Sequence, residues 1–537
     1  MSRDRCEVAI VGSGFAGSLA ARTLRTIGYD VVLLERGTHP RFAIGESTTP
    51  LANLALERLA RRYGFEDCWQ LAAHGRWTAH YPELRRGLKR GFTFYRHHPG
   101  TPFANDGGRS ERLLVSASPD DAIADTHWLR ADVDHHFVRQ AIAAGVDYRD
   151  RAALTSAEAT PGGMRLNGTR DGAPFELDAA FVIDASGPSG FLARQLSLPS
   201  ALDTLESCSA LVFSHFAGVR ELGDVVPGLP EGPYPDDRAA VHHLVDEGWM
   251  YALRFDHGVT SAGFLLSPRG LRALAPWRDA PELWNRLLER YPTIQAVFAE
   301  ATPTMPIAYV PRVQHRLGHA AGDRWTLLPH AFAFVDPLFS TGIAWGLRAV
   351  ERLALVFEAA RSTGRMPAPA SLARYAELLH REATQIDRVV AGAYEAMAHF
   401  ELFAAHAMIY FATVSFAEVG QRLSRDETAA WGGFLGVGDP VLEPLSAEAL
   451  ARLRHITAGA GSPGDVEQRA AHASWVAAAI QSRNVAGLAD PSRANLYPAD
   501  LDVLIDRHAL LGLSREQMRA ALPALRGMAE PPAFAAR

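Results

Sequence analysis

Apolar residues cluster first at positions 7–11, a run short enough for a buried strand, followed by small residues and then a helix-like pattern over 18–27. A second apolar run at 29–34 stops at Glu35. Strand, helix and strand in that order predict a βαβ unit with a parallel sheet. In the middle of the chain the pattern changes to short alternating segments such as 92–95 and 262–265, which suit a mixed sheet. From about residue 356 onward it becomes helical and alanine-rich, with helices predicted over 371–382, 386–419, 446–454, 465–482 and 514–525. Ser514 and Gln517 have capping-box spacing at the start of the last one. Gly/Pro-rich stretches at 431–440 and 458–464 read as loops between them. The most apolar stretch, 402–416, contains His406 and is shorter than a bilayer span, so a buried helix is expected and no membrane association.

The turn inside the βαβ unit carries specific chemistry. Gly12, Ser13, Gly14, Phe15, Ala16 and Gly17 spell GxGxxG between strand and helix, and Glu35 follows 18 positions after the last glycine. Gly12 permits the tight turn, Gly14 lets a pyrophosphate approach the backbone, and Gly17 lets helix and strand close up. The helix N-terminus supplies the positive end of a dipole, and Glu35 suits ribose hydroxyls. Dinucleotide binding follows from that set. A later Arg130-Ala131-Asp132-Val133-Asp134 before a helical run, and a strand ending Asp184-Ala185-Ser186-Gly187, favour FAD over NAD. There is no second GxGxxG for a separate NAD(P)H domain.

Composition removes several alternatives. A chain of 537 residues exceeds one ordinary core of about 100–200 residues. A net charge of -6 argues against nucleic acid, which calls for a concentrated basic face. Cys6, Cys68 and Cys208 lack metal or redox spacing, and the first residues lack the profile of a secretory leader, so a reducing, cytoplasmic setting is expected. The histidine pairs 97–98, 135–136 and 242–243 point different ways on regular structure, and no metal site is expected.

One count stands out: of 54 basic residues, 53 are Arg and one is Lys, Lys89. Codon drift replaces Lys by Arg wherever charge alone matters. An Arg cannot supply a compact amine that loses its proton or forms an N-adduct, so a lone surviving Lys points to chemistry.

Residues 39–50, His-Pro-Arg-Phe-Ala-Ile-Gly-Glu-Ser-Thr-Thr-Pro, contain GES..P, and Phe334, Pro337, Ser340 and Gly342 complete an FxxPxxSxG motif. With Gly87-Leu88-Lys89-Arg90-Gly91-Phe92 and Trp128-Leu129-Arg130, the chain resembles the flavin-dependent halogenases up to about residue 420, and within them the pyrrole and phenol branch. The resemblance implies an α/β fold of the para-hydroxybenzoate hydroxylase type. Its FAD-binding part, residues 1–355, would be interleaved with a substrate-binding mixed sheet at about 51–125 and 195–318, and a helical region, 356–537, would follow. It implies FAD, supplied reduced by a separate flavin reductase, a halide ion, and a small electron-rich aromatic substrate, free or tethered to a carrier protein. Flavin contacts would come from the phosphate loop and Glu35, and from Arg36, Ile44, Gly45, Glu46, Ser47, Arg130, Asp336 and Ile343. Halide would sit on the N–H groups of Thr341 and Gly342, a backbone nest with the right physics for an anion. Reduced flavin and O2 would give a C4a-hydroperoxide that oxidises halide to hypohalous acid, which Lys89 delivers to the substrate.

Two positions depart from the family pattern. Its WxWxIP element reads here Trp249-Met250-Tyr251-Ala252-Leu253-Arg254, which keeps the bulk but puts Arg in place of Pro. Phe339 stands where tryptophan halogenases carry a Glu, which favours a phenol, pyrrole or aminoaryl already activated for substitution. Trp249, Tyr251 and Phe339 are the expected substrate-pocket residues. The altered element leaves an FAD-dependent aromatic hydroxylase as the alternative, and a non-catalytic flavoprotein subunit of a biosynthetic complex as a second.

Overall fold

A computed structural model describes residues 4–104, 111–424, 429–459 and 465–525. The apolar run at the N-terminus forms the strand Asp4–Val11, whose residues 8–11 are fully or nearly fully buried. It is central because parallel neighbours flank it on both sides: Val31–Leu34 on one and the C-terminal half of Ala173–Asp184 on the other. Asp147–Arg149 and Trp325–Leu327 extend this sheet at its two sides, also in parallel. An antiparallel meander, Ala152–Thr160, Gly163–Arg170 and Ala173–Asp184, leads the chain back into it. Two helices, Phe15–Ile27 and Thr341–Ser362, pack together beside this sheet, and Tyr29 reaches the carbonyl of Phe357 in the second.

The alternating segments build a nine-stranded sheet. Its centre is the antiparallel set Ala210–Ala217, Val259–Leu266, Gly248–Arg254 and Ala240–Val245. Ala240–Val245 pairs in parallel with Gly91–Arg96, which pairs antiparallel with Arg112–Ser116. The sheet is mixed, as its alternation implied. Alongside lies a short ribbon, Arg86–Lys89 against Asp125–Trp128, in which Lys89 stands directly opposite Asp125.

The C-terminal part is helical, with two corrections to the predicted bounds, the first being that 371–382 and the start of 386–419 belong to one continuous helix, Pro369–Ala396. Residues 386–419 are not one helix: Pro369–Ala396 ends, residues 397–399 reverse the chain, and Phe400–Leu423 begins. Helical periodicity runs through the turn because 397–399 contain neither Gly nor Pro. The tertiary reason for the break is that two apolar helices bury each other when folded back. The fit is close at Gly392, where a Cβ would lie 2.3 Å from the His406 ring, and His406 Nε2 bonds the Val389 carbonyl at 2.8 Å. Phe400–Leu423 is the only helix among the described residues long and apolar enough to cross a bilayer, and 72% of its most apolar window is buried inside the protein. It lies over the mixed sheet, where Phe403, Tyr410 and Phe411 contact Phe92 and Phe94 edge to face. Such ring pairs contribute about 0.5–1.5 kcal/mol each beyond their burial. Ser514 and Gln517 form the reciprocal capping box at Arg515–Leu525, with bonds of 3.1 and 2.7 Å. Most of the loop expected at 458–464 lies outside the described residues.

Candidate active site

The phosphate loop has the geometry its glycines require. Gly12 adopts φ +103°, and a Cβ there would lie 2.5 Å from the Ala185 carbonyl oxygen. A Cβ on Gly17 would lie 2.0 Å from the Gly12 carbonyl oxygen, so helix and strand close only around glycine. Gly14 is different: nothing in the protein comes nearer than 3.6 Å to such a Cβ. Only the Arg130 and Asp134 side chains reach ordinary contact distance there, and the N-terminus of a 13-residue helix is where a pyrophosphate would approach.

Glu35 accepts from the Ser13 N–H (3.2 Å) and hydroxyl (2.9 Å), the Gly37 N–H (3.0 Å) and Arg41 (3.0 Å). Burial works to raise its pKa, but Arg41 and these donors overcome it and hold the carboxyl down at about 2. A carboxylate has about four lone-pair sites, and three of the four bonds fall on Oε2, which leaves Oε1 able to take a ribose hydroxyl. Arg36 is exposed beside it.

Residues 36–49 form a strap across the mouth of this cradle, and Arg130 pins it. The Arg130 guanidinium bonds Asp134 at 2.8 Å twice, and the carbonyls of Ile44 and Gly45 at 3.0 Å each. Asp134 also accepts the Phe15 N–H at 3.2 Å. That role was not visible in the sequence, where Asp134 is one acid among several at a helix start. Ile44 is 42% exposed, while Glu46 is buried and bonded by His215 at 2.9 Å. Ser47 bridges to His127 and Thr48 bonds Thr126, so the strap joins the Lys89 ribbon through one isolated bridge.

The Asp336–Gly342 turn ends in Ser340 at φ +52°, after which the helix Thr341–Ser362 begins. The first N–H groups of a helix have no intrahelical acceptor, and those of Thr341 and Gly342 are among them. Both helix starts come together here: a Cβ at Gly346 would lie 3.1 Å from the Phe15 ring, and one at Gly342 2.9 Å from His330. Burial, reinforced by Arg130, pushes His330 down to about 3, so its ring is neutral. Ile343 is buried in the first turn. Asp336 does not stand free. Its Oδ2 takes the Ser209 hydroxyl (2.8 Å) and the Tyr394 hydroxyl (3.0 Å), its Oδ1 takes the Leu338 N–H, and Trp249 donates to Tyr394 at 3.0 Å.

Lys89 is completely buried. Its Nζ donates to the Thr48 carbonyl at 2.5 Å and lies 4.0 Å from the centre of the Phe92 ring. Burial lowers its pKa to about 7 although Asp125 opposes the shift. The same burial raises Asp125 to about 7, with Lys89 opposing. His127 and His242 nearby are driven to about 3 by burial and then by Lys89. From the amine a wall of rings runs back to the turn: Phe92 meets Tyr410, which stacks on Phe339 at 4.5 Å. Tyr410 also donates to the Phe339 carbonyl. Trp249 and Tyr251 are buried on the same face of their strand. Arg254 turns its guanidinium away, to Asp237 and the Val219 carbonyl, so the Pro-to-Arg departure leaves the aromatic wall intact.

Behind Phe92 opens a cavity whose lining includes Asn53, Ser118, Asp125, Tyr410, Phe411 and Leu501. Among the described residues, no group of three His, Cys, Asp or Glu side chains is placed to hold a metal ion.

Comparison with known proteins agrees with this geometry. A profile of the NAD(P)-binding Rossmann-like domain matches residues 10–63. The chain is 30% identical over 346 residues to the tetracycline 7-halogenase of Kitasatospora aureofaciens, covering 63% of this chain and 60% of that protein. It is 28% identical over 345 residues to the monodechloroaminopyrrolnitrin halogenase PrnC of Pseudomonas fluorescens, covering 63% and 59%. The chain thus spans about 60% of these relatives' own length. Its fold matches the halogenase PltM, solved with phloroglucinol and FAD, at a TM-score of 0.82, with 24% identity over 91% of this chain and 99% of that one. With the phosphate loop, the strap, the motif turn and the buried lysine in one place, the chain is similar to flavin-dependent halogenases over about 345 residues and shares the fold of one of them.

Proposed function

We propose that the protein is an FAD-dependent halogenase acting on an electron-rich aromatic: a phenol, pyrrole or aminoaryl, free or carrier-bound. The single observation that carries this reading is the placement of Lys89. The chain's one primary amine is buried between the strap that borders the nucleotide cradle and an aromatic-walled cavity. The helix N-terminus at Gly14, Glu35 with an oxygen to spare, and Ile343 under the motif turn would hold FAD. Thr341 and Gly342 would hold halide at the convergent helix starts. When bound and reduced by a separate flavin reductase, FAD with O2 supplies the oxidising equivalent that turns halide into hypohalous acid. This chain's own residues then act on that product. Lys89 hydrogen-bonds it through Nζ, and Phe92 and Tyr410 exclude water. Phe339, which stacks on Tyr410, backs the ring wall from outside the cavity, as Trp249 and Tyr251 also lie outside its lining.

The test is product formation with reduced FAD, O2 and either chloride or bromide on a panel of phenols and pyrroles. Lys89→Arg, which keeps charge but loses the compact amine, should lower halogenation by about 10²–10⁴-fold with FAD still bound. Hydroxylation that is independent of halide and coupled to NADPH would replace this reading with that of an aromatic hydroxylase. Unchanged pathway output from Lys89→Arg would leave the non-catalytic flavoprotein.

A further inference from the structure

Four residues lining the cavity behind Phe92 carry a buried polar atom with no hydrogen-bond partner: one is Arg76, through Nε, and the other three are Asp125 Oδ2, Asn53 Oδ1 and Ser118 Oγ. The Asp125, Asn53 and Ser118 side chains are at most 4% exposed. An unsatisfied buried group costs about 1–3 kcal/mol, so several lining one cavity call for a ligand that satisfies them. Their orientation is fixed by chemistry. Asn53 Nδ2 donates to Asp125 Oδ1 at 2.8 Å, and since a carboxylate takes only donors, the Asn53 carbonyl is the end left over. Asp125 Oδ2 and Asn53 Oδ1 are therefore acceptors, and the ligand must bring hydrogen. The same cavity is lined by three aromatic rings packed edge to face, Phe92, Tyr410 and Phe411. The two arginines in the lining have their charges paired, Arg76 with Glu57 and Arg422 with Glu57 and Glu418, so Arg76 Nε adds a donor to the site while the positive charges are already balanced by carboxylates. Asp125 stands opposite Lys89 in antiparallel register, which sets side chains on one face about 4.5–5.5 Å apart at Cβ.

We propose that Asp125 and Asn53 seat the substrate, which is an uncharged aromatic ring carrying two O–H or N–H donors, of the resorcinol or aminophenol type. The assignment rests on the halogenase reading and names its substrate-holding groups. Hydrogen-bonding the ring O–H to Asp125 turns the ring toward Lys89 and feeds electron density into it. In the substitution step a ring carbon forms the C–X bond as the O–X bond of hypohalous acid breaks. The departing oxygen leaves as water with a proton from the Lys89 ammonium, and the substrate O–H proton passes to Asp125. Loss of the C–H proton to Lys89 and return of the proton from Asp125 restore the phenol, so the net change is ArH + HOX → ArX + H2O. Burial, opposed by Lys89, raises Asp125 above the usual carboxylate range, which brings it closer to a phenol held against it. The sequence had pointed to an absent acid at Phe339; the structure supplies one from another strand.

The experiment compares resorcinol with 1,3-dimethoxybenzene on the intact wild-type enzyme, each rate normalised to that compound's reactivity with free hypobromous acid. The expected result is at least a 100-fold preference for resorcinol. In parallel, Asp125→Asn should raise KM for resorcinol and lower kcat/KM at least 10-fold, with normal FAD content and melting, and Asp125→Glu should recover part of it. Equal normalised rates on the two compounds, or an Asp125→Asn enzyme indistinguishable from wild type, overturn the inference. Failure of the wild type to oxidise bromide at all, measured with a diffusible trap, instead defeats the halogenase reading beneath it.

Discussion

Lys89 combines two properties that oppose each other: it is an amine meant to carry a proton, and it is wholly removed from water. Burial depresses its pKa to about 7 from an ordinary value near 10.5, while Asp125 across the ribbon pulls the other way. The remaining titratable groups around the pair are the neutral His127 and His242, with Glu418 and Arg422 acting on Asp125. A base with a depressed pKa loses its proton early, so halogenation should fall as pH rises through about 7. Removing the Asp125 charge removes what holds the proton on Lys89. In Asp125→Asn that alkaline limb should therefore move to lower pH, as read from kcat/KM for bromination against pH. A limb that stays in place would mean that the descending titration belongs to another group. Composition made this residue conspicuous, since one Lys among 53 Arg is visible without any structure. Its partner was not, because the sequence gives no reason to choose Asp125 from among many acids; only the ribbon register brings the two together.

At the scale of elements, periodicity located the first βαβ unit and the C-terminal helices, left helices such as Pro50–Tyr63 and Ala280–Arg290 unplaced, and erred where tertiary packing overrides it. The turn at 397–399 is one such place: its local signal is helical, and the chain reverses so that two apolar faces meet. Gly392 is the contact that makes this close approach possible. Gly392→Ala should therefore cost about 1–3 kcal/mol through overpacking against His406, despite the better helix propensity of Ala. Denaturant melts of Gly392→Ala and of the double variant with His406→Ala test it. The second change should recover part of the loss, whereas simple additivity would show that the two residues do not constrain one another. The phosphate loop sits at the other extreme. Its glycines, helix and flanking strands were all legible, because backbone clearance is a local requirement that only one residue type meets.

For the molecule as a whole, the strap is what makes one site out of two sheets. It starts at the nucleotide sheet, is held by Arg130 through the Ile44 and Gly45 carbonyls, and joins the ribbon of Lys89 through one isolated bridge. Arg130→Lys keeps the charge but cannot bond Asp134 and both carbonyls at once. It should weaken FAD binding at least 10-fold, followed by flavin fluorescence, with the fold's circular dichroism unchanged. Wild-type affinity in that variant would mean that the strap is secured elsewhere. This long-range organisation was the least readable level of all. The motif residues Gly45, Glu46 and Ser47 signal a family, but nothing in them says that their neighbour Thr48 will hold the Lys89 amine.

That the only lysine is sealed within the fold also makes the protein its own chemical probe. Amine acylating reagents have one side-chain target in the whole chain, and in the native state that target is out of reach. Label at Lys89 would thus time the opening of the strap and ribbon directly, residue by residue, without engineering a reporter. An N-halogenated lysine found by mass spectrometry would have one possible address.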